Sequence, residues 1–271
     1  MAKRKPKSKS MAATADLHEL YEDSVQNVTE QCQFVENVFE EIRGRSPSGL
    51  REDFCGTASA AAEWVGRSNS HHAFGVDIDL DVLQWGRKNR VGALPKSQRR
   101  RISLICGDVR HIETPPVDVI CAFNFSYWIF RKRAKLREYF EAVYRRLGPQ
   151  GVFFLDAYGG HAAFQELEEE MDLGDFTYVW EQAKYNPVTG HMKTHIHFEF
   201  PDGSRIRKAF TYKWRLWTLP ELRELLLEAG FRNPTIHSEF TNDDGDGIGL
   251  WFPVTHLPAS RAWIINITAE K

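Results

Sequence analysis

Apolar residues recur every three or four positions from Leu17 to Ile42, at Leu17, Leu20, Tyr21, Val25, Val28, Cys32, Val35, Val38, Phe39 and Ile42. That spacing predicts one long helix or two shorter ones with a single apolar face. Gly44 and Pro47 end the pattern. The next hundred residues switch period repeatedly. Short apolar runs at 49–53, 73–77, 102–106, 117–123 and 152–156 read as strands. Residues 58–65, 80–90 and 132–147 have the spacing of helices. A turn, Gly148-Pro149-Gln150-Gly151, leads into the fifth strand. This alternation predicts an α/β fold, a mostly parallel sheet with helices on both faces and right-handed crossovers.

Beyond Asp156 the pattern changes. Residues 176–185, 191–200 and 205–217 alternate polar and apolar positions, separated by Asn186-Pro187-Val188-Thr189-Gly190 and Pro201-Asp202-Gly203-Ser204. Both separators are turn sequences, so 161–217 is expected to hold a short helix and a three-stranded antiparallel insertion. A helical pattern returns with Thr218 as N-cap, Pro220 in the first turn and Gly230 at the end. Strands at 235–240 and 262–268 complete a seven-stranded sheet. The Gly- and Asp-rich stretch 241–258 between them reads as a loop.

Composition narrows the class. With 271 residues, 42% hydrophobic and 27% charged, the chain can bury a sizeable core. The net charge is −2, yet residues 1–10 carry five of the 35 basic residues and no acid. Residues 1–13 are expected to be a disordered basic tail, either a solvated extension or a nucleic-acid-binding arm. The tail lacks the apolar centre of a signal peptide, and no run reaches the length of a membrane span. Cys32, Cys55, Cys106 and Cys121 are too scattered for a Cys-x-x-Cys site and read as small hydrophobes in a reducing, cytoplasmic compartment.

The chemistry concentrates in Leu50-Arg51-Glu52-Asp53-Phe54-Cys55-Gly56-Thr57-Ala58, answered by Gly75-Val76-Asp77. A turn of small residues followed by a strand ending in a carboxylate suits a nucleoside: the turn admits the ligand to the backbone and the carboxylate accepts from ribose hydroxyls. One glycine, Gly56, is too few to surround a pyrophosphate, and Glu52 and Asp53 repel one. That disfavours a nicotinamide oxidoreductase and suits a cationic ligand.

These residues resemble the first motif of class I S-adenosylmethionine-dependent methyltransferases, an acidic residue followed by x-Gly-Cys-Gly-Thr-Gly. Gly75-Val76-Asp77-Ile78-Asp79 resembles the family's acidic second-strand motif, and Cys106-Gly107-Asp108-Val109 its adenine-contacting third-strand motif. Phe54 and Ala58 stand where the family has glycines. The resemblance implies a Rossmann-like class I methyltransferase fold, with residues 14–160 and 218–271 as the catalytic domain, 14–44 as its N-terminal helices, and S-adenosylmethionine as cofactor. It places Glu52 and Gly56 beside the amino acid portion of the cofactor, has Asp77 accept from the ribose hydroxyls with Asp79 assisting, has Asp108 accept from the adenine amino group with the Val109 N–H donating, and counts Cys55 and Ile78 among the cofactor-binding residues. Arg51 has three candidate partners: the cofactor carboxylate, Glu52 or Asp53.

Methyl transfer asks the protein mainly to align a nucleophile, with a base only if the nucleophile arrives protonated. Candidates follow the fourth and fifth strands, at the carboxyl edge of the sheet. They are Asn124 and Tyr127, in a stretch resembling the Asn-Pro-Pro-Tyr motif of amino-group methyltransferases without its prolines, and His161. Asn124 also borders the cofactor. His191, His195 and His197 lie close together on one strand, and His195 and His197, which share a face, form either a metal pair or part of a solvated or substrate-facing strand. Trp180, Trp214 and Trp217 either roof a pocket or pack the insertion. The run Asn242–Gly247 is superficially like a calcium loop, but its twelfth position is Pro253 rather than a bidentate Glu. The expected activity is therefore methyl transfer to a nitrogen or oxygen atom of a small molecule, with the insertion and N-terminal helices, Tyr21 among them, as a lid. The alternatives are a nucleic acid or protein acceptor and a non-catalytic scaffold. No metal and no membrane partner are expected, and self-association is left open.

Overall fold

The computed structural model describes residues 9–241 and 247–271. Its helices are α1 Met11–Thr14, α2 Leu17–Val25, α3 Val28–Arg43, α4 Ser59–Arg67, α5 Leu80–Asn89, α6 Lys96–Arg99, α7 Arg133–Arg146 and α8 Leu219–Glu228. Its strands are β1 Gly49–Asp53, β2 His72–Asp77, β3 Ile102–Cys106, β4 Val117–Ala122, β5 Leu147–Gly159, β6 Leu167–Asp172, β7 Thr177–Asn186, β8 His191–Glu199, β9 Arg205–Arg215, β10 Arg232–Thr241, β11 Gly247–Val254 and β12 Trp263–Glu270. They gather into two compact units, one of residues up to Gln26 with Phe164–Trp214, the other of Asn27–Ala163 with Arg215–Lys271. Residues 1–8 of the basic tail and 242–246 of the Asp-rich run lie outside the described residues. The last three residues of the expected tail, Met11 to Ala13, are helical as part of α1.

The larger unit is an α/β sandwich on a sheet of order β11-β10-β12-β5-β4-β1-β2-β3. Strands β3, β2, β1, β4 and β5 are mutually parallel, and β12 joins β5 antiparallel. The order reverses between β1 and β4, the point at which ligands enter open α/β sheets. The sheet has eight strands where seven were expected, because β11 falls in the stretch read as a loop. β11 pairs antiparallel with β10, and Pro253 stands opposite His237. As an edge strand it can carry a proline whose missing N–H is not required by the ladder. The expected turn at Gly148–Gly151 is absorbed into β5: the ladder to β4 jumps from Val117↔Leu147 to Val119↔Val152, so three residues bulge out of register.

The core of this unit packs α3 and α4 against the sheet through Phe34, Val35, Phe39, Trp64, Val65, Leu50, Val119 and Phe154. The helical run from Leu17 to Ile42 is two helices, because Asn27 interrupts it and caps α3 by accepting from the Glu30 N–H at 3.3 Å. Thr218 and Glu221 form a reciprocal capping box on α8.

The smaller unit is a sheet of order β6-β7-β8-β9, four strands where three were expected. The extra strand, Leu-Glu-Glu-Glu-Met-Asp, shows no apolar alternation. It is exposed at the sheet edge and held by its antiparallel pairing to β7. Leu20 joins Phe176, Ile196, Phe198 and Phe200 in this unit's own core, so α2 belongs with the inserted sheet rather than with the larger unit. Tyr21 packs on Phe210, ring centroids 5.0 Å apart. Trp214 stacks on Tyr212 at 4.4 Å and lies 6.2 Å from Trp180, within this same unit.

Candidate functional site

The register of the parallel strands sets Asp53 beside Val76 and Asp77 beside Cys106, so the carboxyl ends of β1, β2 and β3 share one edge. The 54–58 turn leaves that edge from β1. Phe54, Gly56 and Ala58 all adopt positive φ, at 59°, 50° and 61°. The two positions where glycine was replaced thus keep the left-handed backbone that glycine would favour, at a cost a side chain normally avoids. The turn is stitched to β2: the Cys55 N–H donates to the Val76 carbonyl at 3.0 Å and the Gly56 N–H donates to Asp77 Oδ2 at 2.8 Å. A Cβ on Gly75 would lie 2.9 Å from the buried Cys55 Sγ, and one on Gly86 only 2.2 Å from the Thr57 carbonyl. Those two glycines let β2 and α5 close around the turn. Gly56 itself faces open space, with nothing within 4 Å of an added Cβ.

Asp77 also accepts from the Asp79 N–H at 2.9 Å. Burial raises its carboxyl above the ordinary value, while the N–H groups of Asp79 and Gly56 hold it back. A carboxylate has about four acceptor positions, so capacity remains for ribose hydroxyls. The neighbouring Ile78 is exposed, and Asp79 caps α5 through the Asp81 and Val82 N–H groups.

Arg51 and Asp53 share the other face of β1 from Glu52. Arg51 is wholly buried, and its three nitrogens are engaged internally. Nε donates to Asp53 Oδ1 at 2.7 Å, Nη1 to the Ile112 carbonyl at 2.8 Å and Nη2 to the Val109 carbonyl at 2.9 Å. Of its three candidate partners the structure selects Asp53. Burial pushes the Asp53 carboxyl up, the Arg51 guanidinium pulls it back, and the Tyr139 hydroxyl donates to it at 3.0 Å. Arg146 grips the same loop, donating to the Ile112 carbonyl at 2.6 Å and the Arg110 carbonyl at 3.1 Å. Two buried guanidinium groups therefore fix the backbone of 109–112. Glu52 accepts from the Ala61 N–H at 3.1 Å, in the first turn of α4, whose N-cap Ala58 has no side-chain cap to offer.

Asp108 is already engaged within its own loop. Arg110 grips its carboxylate, Nε at 3.0 Å from Oδ1 and Nη2 at 2.6 Å from Oδ2, and the Arg110 N–H donates to Oδ1 as well. Arg110 holds the Asp108 carboxyl below the ordinary range. Oδ2 alone keeps a position for an adenine amino group. Val109 is buried.

A second turn, 124–127, leaves β4 across the switch point. Asn124 and Phe125 have φ of 58° and 56°. Their N–H groups donate to the two oxygens of one carboxylate, Asp156, at 2.7 Å and 2.8 Å. The Tyr127 hydroxyl donates to the Asp156 backbone carbonyl at 2.7 Å. Tyr127 is fully buried, so it supports the turn instead of meeting a substrate. Burial pushes the Asp156 carboxyl up to about 7 against the pull of those N–H groups. Asp156 is the site residue that the sequence reading passed over, although an apolar strand ending in a carboxylate at the ligand edge was its visible signal. Tyr139 and Arg146 gave no such signal, since their partners are backbone carbonyls or groups far along the chain, and Arg110 gave none because a two-residue spacing to Asp108 does not by itself predict a contact in a loop. His161 is exposed at the start of a short helical turn, its N–H donating to the Ser260 carbonyl at 3.3 Å, and no hydrogen bond joins it to the 124–127 turn.

The histidines of β8 are committed within the smaller unit. His197 Nε2 lies 2.9 Å from Glu181, its Nδ1 accepts from the Lys208 N–H at 3.2 Å, and His195 Nδ1 lies 2.8 Å from Thr211 Oγ1. Among the described residues no group of three or more His, Cys, Asp or Glu could hold a metal ion. Cys32, Cys55 and Cys121 are buried and Cys106 is exposed, all as thiols. No described helix is long and apolar enough to cross a membrane.

Residues 53–155 match the family model of a methyltransferase domain. No curated protein matches the sequence. Among solved structures, an S-adenosylmethionine-dependent methyltransferase from Clostridium acetobutylicum superposes with a TM-score of 0.67 at 16% identity, over 93% of this chain and 96% of its own. CalS10, an amino pentose methyltransferase of Micromonospora echinaspora solved with S-adenosylmethionine bound, gives 0.65 at 14% identity, over 94% and 97%. The sugar N-methyltransferase KedS8 of Streptoalloteichus gives 0.62 at 16% identity, over 98% of both chains.

Proposed function

We propose that this chain, whose residues 53–155 are a methyltransferase domain within a class I, Rossmann-like fold, binds S-adenosylmethionine and moves its methyl group to a nitrogen or oxygen atom of a small molecule. The observation that carries this reading is the junction of the 54–58 turn with Asp77. An open glycine and a carboxylate with spare acceptor capacity meet there, beside the switch point of the sheet. The surrounding acids, Glu52, Asp77 and Asp79, favour a cation over a pyrophosphate.

When bound, the cofactor supplies a methyl carbon activated by a sulfonium that leaves with the bonding electron pair. Asp77 accepts from the ribose hydroxyls. The backbone around Gly56 borders the amino acid portion. Asp108 Oδ2 takes the adenine amino group on the position that Arg110 leaves, and the two buried arginines hold the loop that carries it. Arg51 contributes through that loop and not by contact. Asn124 borders the transferred methyl group and accepts a hydrogen bond from an amine, which orients the nitrogen lone pair for in-line attack. The proton released by a neutral amine after transfer passes to solvent. An amine acceptor on a sugar-like small molecule draws support from the two neighbours named for amino pentose and sugar N-methylation.

Asp77→Ala is expected to weaken S-adenosylmethionine binding about tenfold or more, through loss of charge-assisted hydrogen bonds. Titration calorimetry on the folded variant checks it, and an unaltered affinity would sink the cofactor assignment.

A further inference from the structure

We propose that Asp156 is a positioning residue for methyl transfer: its carboxylate holds the strained 124–125 backbone in the one conformation that aims Asn124 at the acceptor amine. This rests on the cofactor reading above and names the group that prepares its acceptor side.

Three observations converge on Asp156. First, two consecutive residues with side chains, Asn124 and Phe125, both adopt φ near +57°. A bulky residue such as Phe avoids that region unless its surroundings impose it, and such strain persists where the structure over-determines it. Secondly, the imposition is bidentate. Each Asp156 oxygen takes one of the two consecutive N–H groups, at 2.7 Å and 2.8 Å, so the carboxylate fixes the plane of the turn and not merely its distance. Thirdly, the same residue is used twice, because the Asp156 backbone carbonyl accepts from the buried Tyr127 hydroxyl. The Phe125 ring then packs against Tyr158, centroids 4.8 Å apart, and against Trp128 at 5.4 Å. A buried carboxylate is a costly way to hold a turn that hydrated groups could close. Its distinctive property is directional and charged acceptance of two adjacent donors.

The arrangement also makes the turn sensitive to protonation. Among the described residues the titratable groups that face Asp156 are neutral ones. Tyr127 on the turn and Cys121 on β4 are both buried, with burial pushing their own pKa values up, and Asn266 of β12 is its partner across the sheet. Among the described residues no charged side chain contributes to its shift, which comes from burial opposed by backbone N–H groups. Above about pH 7 the ionised form accepts both donors. Below it the proton occupies one oxygen and weakens the grip on one N–H.

The test needs no knowledge of the acceptor. Sinefungin is the analogue of S-adenosylmethionine in which CH–NH2 replaces S–CH3, so its amine sits where the transferred methyl group and acceptor meet. S-adenosylhomocysteine lacks that amine. The ratio of the two affinities, measured by calorimetry, reports on the groups that receive it. Wild-type protein is expected to prefer sinefungin, and Asn124→Ala to reduce that preference about tenfold. Asp156→Asn, which is isosteric and keeps one acceptor oxygen, is expected to reduce it nearly as far while leaving S-adenosylhomocysteine affinity within about twofold. Between pH 6 and 8 the wild-type ratio should rise more steeply than that of Asp156→Asn, in which the amine's own titration is all that remains. A ratio unmoved by either substitution overturns the inference with the cofactor reading intact. So does a Asp156→Asn variant that loses both ligands equally, which marks a purely structural prop. Failure of wild-type protein to bind either ligand overturns the cofactor reading, and this inference with it.

Discussion

Two turns of the larger unit are built on one device and tuned apart. Each leaves the carboxyl end of a parallel strand, each contains residues with side chains in the left-handed region, and each is tied down by a carboxylate from the neighbouring strand. At 54–58 the carboxylate is Asp77, which takes one turn N–H and one N–H of its own loop. At 124–125 it is Asp156, which takes two turn N–H groups and lies deep in the sheet. The half-buried Asp77 keeps acceptor capacity for a ligand. The buried Asp156 spends itself on the backbone and titrates near neutrality. The contrast teaches that an acid at this edge of the sheet keeps acceptor capacity where it is only partly buried and is used up on the backbone where burial is complete.

The first turn also rests on a buried ion pair that the second lacks. Arg51→Met should leave Asp53 uncompensated and release the Val109 and Ile112 carbonyls, costing about 3–5 kcal/mol. Urea unfolding measures this, and a loss below about 1 kcal/mol would show that the first turn does not depend on its ion pair. The second turn should reveal itself through pH. Asp156 titrates at about 7 in the folded chain against 3.8 as its ordinary value. Its stabilising contribution is therefore fully present below about pH 4 and lost as pH rises through 7, by on the order of 4 kcal/mol at most. Comparing unfolding of wild-type protein and Asp156→Asn from pH 4 to 8 isolates it. A constant difference across that range would mean that the carboxyl is not titrating there. The smallest effect sharpens the shared feature. Ala58→Gly should relieve a left-handed alanine and stabilise the chain by about 0.5–1 kcal/mol, read as a rise in Tm.

The parallel half of the fold was legible because its strands are short apolar runs bounded by glycines and acids, and its helices keep one face. Asp77 was legible for the same reason, as an acid ending a strand at a fixed interval after a small-residue turn. β6 and β11 were not. Both are edge strands, stabilised by backbone pairing to one neighbour, and edge pairing needs no alternation of side chains. Arg51 shows the same limit within the site. Its place on β1 could be read, but three partners were open to it. Only the approach of the 109–112 loop to β1 settled which groups its guanidinium would meet.

The order of residues thus determined by itself the α/β alternation, the strand-end acids and the small-residue turn, because those depend on local period and on what each side chain can do. Tertiary structure alone decided that Phe54 and Ala58 adopt a backbone made for glycine, that Arg110 closes on Asp108, and that Asp156 carries the Asn124 turn. Those outcomes depend on which buried donor meets which acceptor once the chain is packed. Burial makes every unmatched polar group costly, so the packing selects one pairing from several that the sequence permits.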